Sequence, residues 1–504
     1  MKRLAPVLSI QLVAGVATVV CYSWMTQGSN ASRGVRETGR VFTKDNRGHR
    51  RNRDQFHSKI RMQEPVIIRG DSPMLSITGR HVIDHQMGSR SFDFPGVSVA
   101  LRMNASTSVK ALLNNSGISN RFAVSLDGGL SWLQKTINAT KGETEYVLCS
   151  NLSPTRAYDI MLLKLTEACS HTYGCGWGDF GTATLSGFLL DQGANALAPL
   201  ATTPLRTDEM KDRVESPWAS HPRDVPRRLE FIGDSITAAW AAHASRAASD
   251  DDSCSDGEDV RASWAHLTAQ TVGAQSHIIA WGGIGLVQND DAGTRPDGAS
   301  APALWHRALA NNPHSSWDPT SWVPDAVLVH LGTNDLCCDH PVQSATFQAR
   351  YVAFLEEMAR ARRLVQHRSS AGAERTLKPD SSRRAIRASK AAASKILPAS
   401  CESGGTEAAG VARPAIFLLG CGPMGNSKGG CDHTGRCDYF PCAVIERVAA
   451  AANASGFAHA LVLDFSGLMD ADEEVGGCRH PSALAHERMA RRAVGVLRAA
   501  LGWQ

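Results

Sequence analysis

The chain has 504 residues, 43% of them hydrophobic and 20% charged, with a formal net charge of +4. That is enough apolar material for two or three globular domains, and it excludes a wholly disordered chain, a coiled coil and a collagen-like fibre. So small a charge gives no support to a nucleic-acid partner, and the lack of long apolar runs after residue 25 excludes a polytopic membrane protein.

The N-terminus reads Met1-Lys2-Arg3, followed by an apolar run from Leu4 to Trp24. A basic start before an apolar stretch over residues 1–25 is the pattern of a signal peptide or of an uncleaved signal anchor. Ser29-Asn30-Ala31 offers a small-x-small cleavage site for the first alternative. Both predict entry into the secretory pathway, giving a secreted protein or one held at the Golgi or cell surface by a single N-terminal membrane anchor. The cysteines agree, because the twelve outside the apolar run form an even set of the kind an oxidising compartment favours. Cys169 with Cys175, and the cluster Cys421, Cys431, Cys437 and Cys442, suggest local loops. A zinc site on that cluster and His433 is the alternative, but the spacing has no CxxC pair and no metal is expected. Asn-x-Ser/Thr sequons begin at Asn30, Asn104, Asn114, Asn138, Asn151 and Asn453, and their crowding between 104 and 151 suggests a surface-rich luminal module.

Residues 26–63 are polar and basic without periodicity and predict a flexible stem. From 65 to 205 the runs Pro65–Ile68, Val97–Met103, Phe122–Leu126 and Tyr158–Leu165 predict strands, with Asp127-Gly128-Gly129 as a turn signal. Several such runs in so short a span predict a β-sandwich of jelly-roll type. Prolines among charges over 206–226 predict a linker.

The texture then changes to alternating strands and helices. Arg228–Ile232, His277–Ala280, Ala326–Leu331, Ala415–Leu419 and Ala460–Phe465 read as buried strands. Phe347, Tyr351, Phe354, Leu355 and Met358 share one helical face, as do Ala485, Met489, Ala493, Val496 and Leu497. The alternation predicts an α/β domain over 227–504, three layers with a parallel sheet at the centre. Two polar insertions, Ser245–Asp259 and Ala361–Pro414, are expected as exposed loops.

Four pieces carry chemistry. Phe231-Ile232-Gly233-Asp234-Ser235 sits where a strand ends and a helix begins, so the Ser235 hydroxyl lies near unpaired backbone N–H groups. By itself this is the composition of a helix cap. Gly282-Gly283-Ile284-Gly285-Leu286 follows the second strand and lets backbone approach a ligand closely. Gly332-Thr333-Asn334-Asp335 follows the third and brings a side-chain amide that can donate to an oxyanion. Arg479-His480-Pro481-Ser482 puts a histidine at the start of the last helix. All four lie at the carboxyl ends of predicted strands, where open α/β sheets bind ligands.

This set resembles the SGNH (GDSL-type) hydrolases, whose four sequence blocks carry Ser, Gly, Asn and His in this order. The layout resembles carbohydrate esterase family 2, which sets a β-sandwich domain ahead of the SGNH-type domain. Gly79-Arg80, Phe92-Asp93-Phe94-Pro95-Gly96 and Trp322-Val323-Pro324-Asp325 are similar to that family's texture. The resemblance implies Ser235 as nucleophile and His480 as general base. It implies an oxyanion hole from the Ser235 N–H, the Gly283 N–H and the Asn334 amide, with Gly285 as the other glycine to weigh. It further implies removal of acetyl groups from sugar hydroxyls of a polysaccharide or glycan through an acyl-enzyme, with no cofactor. One position departs: the family commonly has Asp three residues before the histidine, and here that residue is Gly477. Asp472, Glu473 or Glu474 would be substitutes, or the pair works as a Ser-His dyad with the imidazole oriented by a backbone carbonyl, as in some carbohydrate esterases.

Trp240, Trp281, Trp305 and Trp322 lie around the blocks, and Trp281 is the candidate face for a sugar ring, with packing against the sheet as the plainer role. Asp335 is a candidate hydrogen-bond partner for a sugar hydroxyl, or else a turn cap. Three rival functions stand beside the esterase: a glycan acyltransferase, a lipid esterase of the same fold, and an inert glycan-binding protein. The polar insertions weigh against an apolar lid and so against lipid. The joint presence of Ser235, Asn334 and His480 weighs against an inert fold.

Overall fold

The computed structural model describes residues 64–170, 178–199, 226–245, 251–290, 298–336, 341–374, 415–423, 442–469 and 478–503. The expected signal or anchor, the stem and nearly all of the linker lie outside the described residues. So do Cys175, Cys431, Cys437, His433, Asp472, Glu473, Glu474 and Gly477.

The N-terminal part is a sandwich of two antiparallel sheets. One sheet contains β1 (Val66–Arg69), β3 (Val82–Asp84), β4 (Ser89–Phe92), β6 (Ser108–Asn115), β9 (Gly142–Ser150) and β11 (Ala183–Leu190). The other contains β2 (Leu75–Thr78), β5 (Ser98–Asn104), β7 (Asn120–Ser125), β8 (Ile137–Ala139), β10 (Tyr158–Lys164) and β12 (Asn195–Leu197). Alternate residues point inward: along β5, Val99, Leu101 and Met103 are fully buried. Phe92 of one sheet meets Phe122 of the other edge-on, with ring centroids 6.4 Å apart. The turn signal at Asp127 holds, since its carboxylate accepts from the Ser131 N–H and from the Ser125 and Ser131 hydroxyls. That turn opens the long connection from β7 to β8, which pair antiparallel.

The C-terminal part has five parallel strands: β13 (Arg227–Gly233), β14 (Ala274–Ala280), β15 (Ala326–His330), β16 (Ala415–Cys421) and β17 (Ala458–Asp464). Their order is β14-β13-β15-β16-β17, so the order of the strands reverses between β13 and β15. The helices are α1 (Ser235–Ala238), α2 (Asp251–Ser255), α3 (Trp264–Val272), α4 (Ala301–Trp305), α5 (Thr333–Leu336), α6 (Ser344–Glu374), α7 (Cys442–Ala454) and α8 (Ala483–Leu501). The period-2 pleat divides the strand side chains between two cores. Phe231, Leu328, Leu418 and Leu463 pack with Trp264 of α3 and with Met489, Ala493 and Leu497 of α8. Ile232, Val329, Phe417 and Leu419 pack with Phe347, Tyr351 and Phe354 of α6 and with Val444 and Val448 of α7. Both faces of the sheet are therefore covered, as the near-continuous apolar strands require.

The two expected loops need correction. Part of the first is the helix α2, and Cys254 and Glu258 are buried, because backbone carbonyls of this segment and the Glu258 carboxylate meet partners from the sandwich. Arg121 of β7 donates to the carbonyls of Ser255 (2.7 Å), Glu258 (2.9 Å) and Asp256. The second begins as the continuation of α6 to Glu374, as its Ala and Arg content favours; residues 375–414 lie outside the described residues.

Buried polar contacts join the two parts. Arg80 donates to Glu230 of β13 (2.9 Å) and to the carbonyls of Trp305 and Arg307, and Trp305 Nε1 donates to the same carboxylate (3.1 Å). Asp93 accepts from the N–H groups of Ala310 (2.9 Å) and Asn311 (3.0 Å). Gly96, in the left-handed region at φ 77°, lets its loop lie on β14, where a Cβ would come within 2.9 Å of Ile278. The Gly79-Arg80 and Phe92–Gly96 sequences are thus the fastening between the two parts.

Candidate active site

Strand β13 ends at Gly233, where a Cβ would fall 2.1 Å from the Thr237 hydroxyl. Asp234 then caps α1, its carboxylate accepting from the Ile236 N–H at 3.0 Å. Burial pushes the Asp234 carboxyl up to about 7, against that backbone bond. Ser235 follows as the first residue of α1. It stands at the carboxyl end of β13, beside the point where the strand order reverses.

His480 reaches Ser235 from the loop before α8. Its Nε2 is 2.7 Å from Ser235 Oγ, and its Nδ1 is 2.7 Å from the Cys478 carbonyl oxygen. A carbonyl only accepts, so Nδ1 carries the proton and Nε2 presents its lone pair to the hydroxyl. Arg479 between them adopts φ 50°, uncommon for a residue with a Cβ, and this turn brings the imidazole back onto the Cys478 carbonyl. Trp240 lies edge-on to the ring at 4.5 Å. Burial drives the imidazole down to about 4, and the Cys478 carbonyl opposes this only in part. The group is therefore a neutral base over the whole near-neutral range. Cys478 is itself bonded to Cys254 on α2.

The glycine loop lies beside this pair. The Gly282 N–H donates to the Glu167 carboxylate, which arrives from the sandwich domain. The Gly285 N–H donates to Asn289 Oδ1 at 3.1 Å. The Gly283 N–H is thus the glycine donor of this loop with no protein acceptor among the described residues, which favours Gly283 over Gly285 as an oxyanion donor. Asn334, on α5 after β15, gives one amide proton to the Ile284 carbonyl at 2.7 Å, which orients the amide and leaves its second proton.

Of the two places expected for each, a sugar contact or a structural one, Asp335 and Trp281 take the structural one. Asp335 is fully buried and accepts from the N–H groups of Leu286 (2.8 Å), Val287 (2.6 Å) and Gln288 (3.1 Å). It braces the glycine loop, and burial raises its carboxyl pKa against those three bonds. Trp281 is 2% exposed and belongs to the core, with no open face for a ring. Trp305 serves Glu230, and Trp322 stacks on His277 at 3.6 Å. Sequence reasoning missed Glu167 and the Cys254–Cys478 bond. An acid in a strand-rich domain carries no local mark of a contact 115 residues away, and an even cysteine count does not reveal pairing.

The other local expectation for cysteines is met in part. Cys421 and Cys442 are joined, with Asp464 beside them, and Cys169 is also disulfide-bonded.

Residues 77–199 match the carbohydrate esterase 2 N-terminal family, and residues 231–414 match the GDSL-like lipase/acylhydrolase family. The second match stops short of His480, so the histidine rests on the geometry above. The chain is 32% identical over 141 residues to the cellulase/esterase CelE of Acetivibrio thermocellus, covering 28% of this chain and 16% of that protein. It is 29% identical over 133 residues to an acetylxylan esterase / glucomannan deacetylase of Cellvibrio japonicus, covering 26% of this chain and 36% of the relative. The matches thus span much less than two thirds of these curated relatives. A solved family two carbohydrate esterase from Cellvibrio japonicus superposes with a TM-score of 0.60 at 18% identity, over 88% of this chain and 99% of that one, which is a likeness of fold. The chain thus joins a match to the carbohydrate esterase 2 N-terminal family to a match to the GDSL-like lipase/acylhydrolase family, on the fold of the solved family two carbohydrate esterases.

Proposed function

We propose that the protein is a serine esterase that removes acetyl groups from the sugar hydroxyls of a polysaccharide or glycan. The observation that carries this is the 2.7 Å bond from Ser235 Oγ to a histidine whose other nitrogen is tied to a carbonyl. Ser235 Oγ attacks the acetyl carbonyl while its proton passes to His480 Nε2. The negative charge on the carbonyl oxygen is met by the Ser235 and Gly283 N–H groups and the Asn334 amide. Collapse breaks the bond to the sugar oxygen, which leaves as the alcohol with the proton from Nε2. A water then gives its proton to His480 and attacks the acetyl-serine, and acetate departs as Ser235 recovers its proton.

The substrate class rests on the relatives, one of which is named an acetylxylan esterase / glucomannan deacetylase. The disulfides Cys254–Cys478 and Cys421–Cys442 support work in an oxidising compartment, in the secretory pathway or outside the cell.

The test is acetate release from acetylated xylan, acetylated glucomannan and 4-nitrophenyl acetate by the protein and by Ser235→Ala and His480→Ala. Release from a glycan that falls roughly 10³-fold or more in both variants is the expected result. Turnover of the small ester alone redirects the substrate to another ester or to acyl transfer. No turnover by a folded protein favours the glycan-binding alternative.

A further inference from the structure

We propose that the Cys254–Cys478 disulfide is the positioning device of the catalytic base, holding the carbonyl that does for His480 what a carboxylate does in a triad. The inference rests on the assignment of Ser235 and His480 above.

Among the described residues, the acceptor that orients the imidazole through Nδ1–H is the Cys478 carbonyl, at 2.7 Å. A carboxylate in this role brings a full charge and two oxygens, so it tolerates small movements. A single neutral carbonyl tolerates fewer, and this one belongs to a loop residue two positions from the histidine. The turn between them passes through Arg479 at φ 50°, a conformation that surrounding structure must hold. What holds it is the Cys478 side chain, bonded to Cys254 with the Cα atoms 5.8 Å apart.

The far end of the bond is anchored in turn. Cys254 is 2% exposed and packs with Trp240, the residue whose ring lies edge-on to His480. The chain after Cys254 is closed by the Gly257 N–H to the Cys254 carbonyl (3.1 Å) and the His243 N–H to the Gly257 carbonyl (2.9 Å). Arg121 of the sandwich then clamps three carbonyls of residues 255–258. Glu258 Oε1 accepts from the Glu167 N–H at 2.6 Å. A continuous path thus runs from the sandwich domain through α2 and the disulfide to the carbonyl behind the base. Without it, Nδ1–H loses a fixed acceptor, and the Nε2–H tautomer, which cannot take the Ser235 proton, becomes populated.

The test compares the full-length protein, made in an oxidising host, with the double variant Cys254→Ala/Cys478→Ala, which leaves neither partner of the bond as a lone thiol and keeps the carbonyl itself. On 4-nitrophenyl acetate, at a temperature where circular dichroism shows both folded, kcat is expected to fall about 10- to 100-fold with KM within about twofold. ¹⁵N-histidine spectra are expected to show His480 purely as the Nδ1–H tautomer in the parent and as a mixture in the variant. Unchanged kcat and tautomer with only a lower Tm would overturn the inference and leave the bond a plain staple. Should the double variant not fold, the native protein is treated with a phosphine reductant and the opened bonds are mapped by alkylation. Loss of kcat must then follow opening of Cys254–Cys478, and must persist in a Cys421→Ala/Cys442→Ala background. Ser235→Ala runs in parallel: if it keeps the parent rate, the assignment of the nucleophile has failed, a result separable from any outcome for the disulfide.

Discussion

Arg80 and Glu230 meet at 2.9 Å in the interior, Arg80 on the loop after β2 and Glu230 inside β13 of the parallel sheet. The guanidinium is 1% exposed, so the pair joins the two halves where water does not reach. Removing one member leaves a buried charge without its counter-ion, which costs about 3–5 kcal/mol. Arg80→Ala is therefore expected to lower Tm by roughly 5–15 °C in a calorimetric scan. Glu230→Gln, which keeps an acceptor for Trp305 Nε1, is expected to cost less. A Tm within about 1 °C of the parent for Arg80→Ala would show that this ion pair does not hold the halves together.

Glu167 is expected to matter for turnover although it lies in the sandwich domain. Its carboxylate holds the Gly282 N–H and so sets the direction of the neighbouring Gly283 N–H. Glu167→Ala is expected to reduce kcat about 10- to 100-fold with little change in KM, because the loss is felt in the transition state. Glu167→Gln keeps an accepting oxygen and is expected to recover most of the rate. Equal losses in both variants would point to the charge rather than the bond.

Asn334→Ala tests the amide donor. Loss of one oxyanion donor typically costs about 10²–10³ in kcat. The Ile284 carbonyl also loses its partner, so the glycine loop is expected to loosen. Measurement at saturating 4-nitrophenyl acetate separates this from substrate affinity, and a loss confined to KM would count against an oxyanion role.

The pH profile follows from burial of the base. His480 must be neutral to accept the Ser235 proton, and its pKa is lowered to about 4. The neutral form is lost only as pH falls through that value, so the acid limb of kcat/KM is expected near pH 4–5. A histidine at the ordinary value of about 6.5 would leave roughly a tenth of the enzyme active at pH 5.5. Asp234, raised to about 7, titrates in a different window, and Asp234→Asn is expected to leave the acid limb in place. A limb near pH 6.5 would mean that the site is far more hydrated than its packing suggests.

Much of this was readable in order along the chain. The Gly-Asp-Ser block was legible because a strand end, a cap and a helix start follow each other within a few residues. Gly283 and Asn334 were legible by position, each just past an apolar strand. His480 was found as a residue at a helix start, but its orienting group was not, because the position that commonly holds an acid is Gly477. For Asp335 the sequence leaves open a sugar contact or a turn cap, and for Trp281 a sugar-facing ring or packing against the sheet. Three backbone donors draw the first inward, and the sheet core takes the second.

The strand and helix texture, the change from antiparallel to parallel sheet, and the loops that hold the reactive side chains are all written along the chain. These depend on apolar periodicity and on turn chemistry, which act over a few residues. Tertiary structure alone decided which glycine N–H has no protein acceptor among the described residues, that Cys254 joins Cys478, and which buried ion pair fastens the halves. Those depend on groups separated by 115, 150 or 224 residues. Such groups carry no local signal of one another, because a hydrogen bond, a disulfide or a buried charge pair is set by proximity in the packed interior and not along the chain.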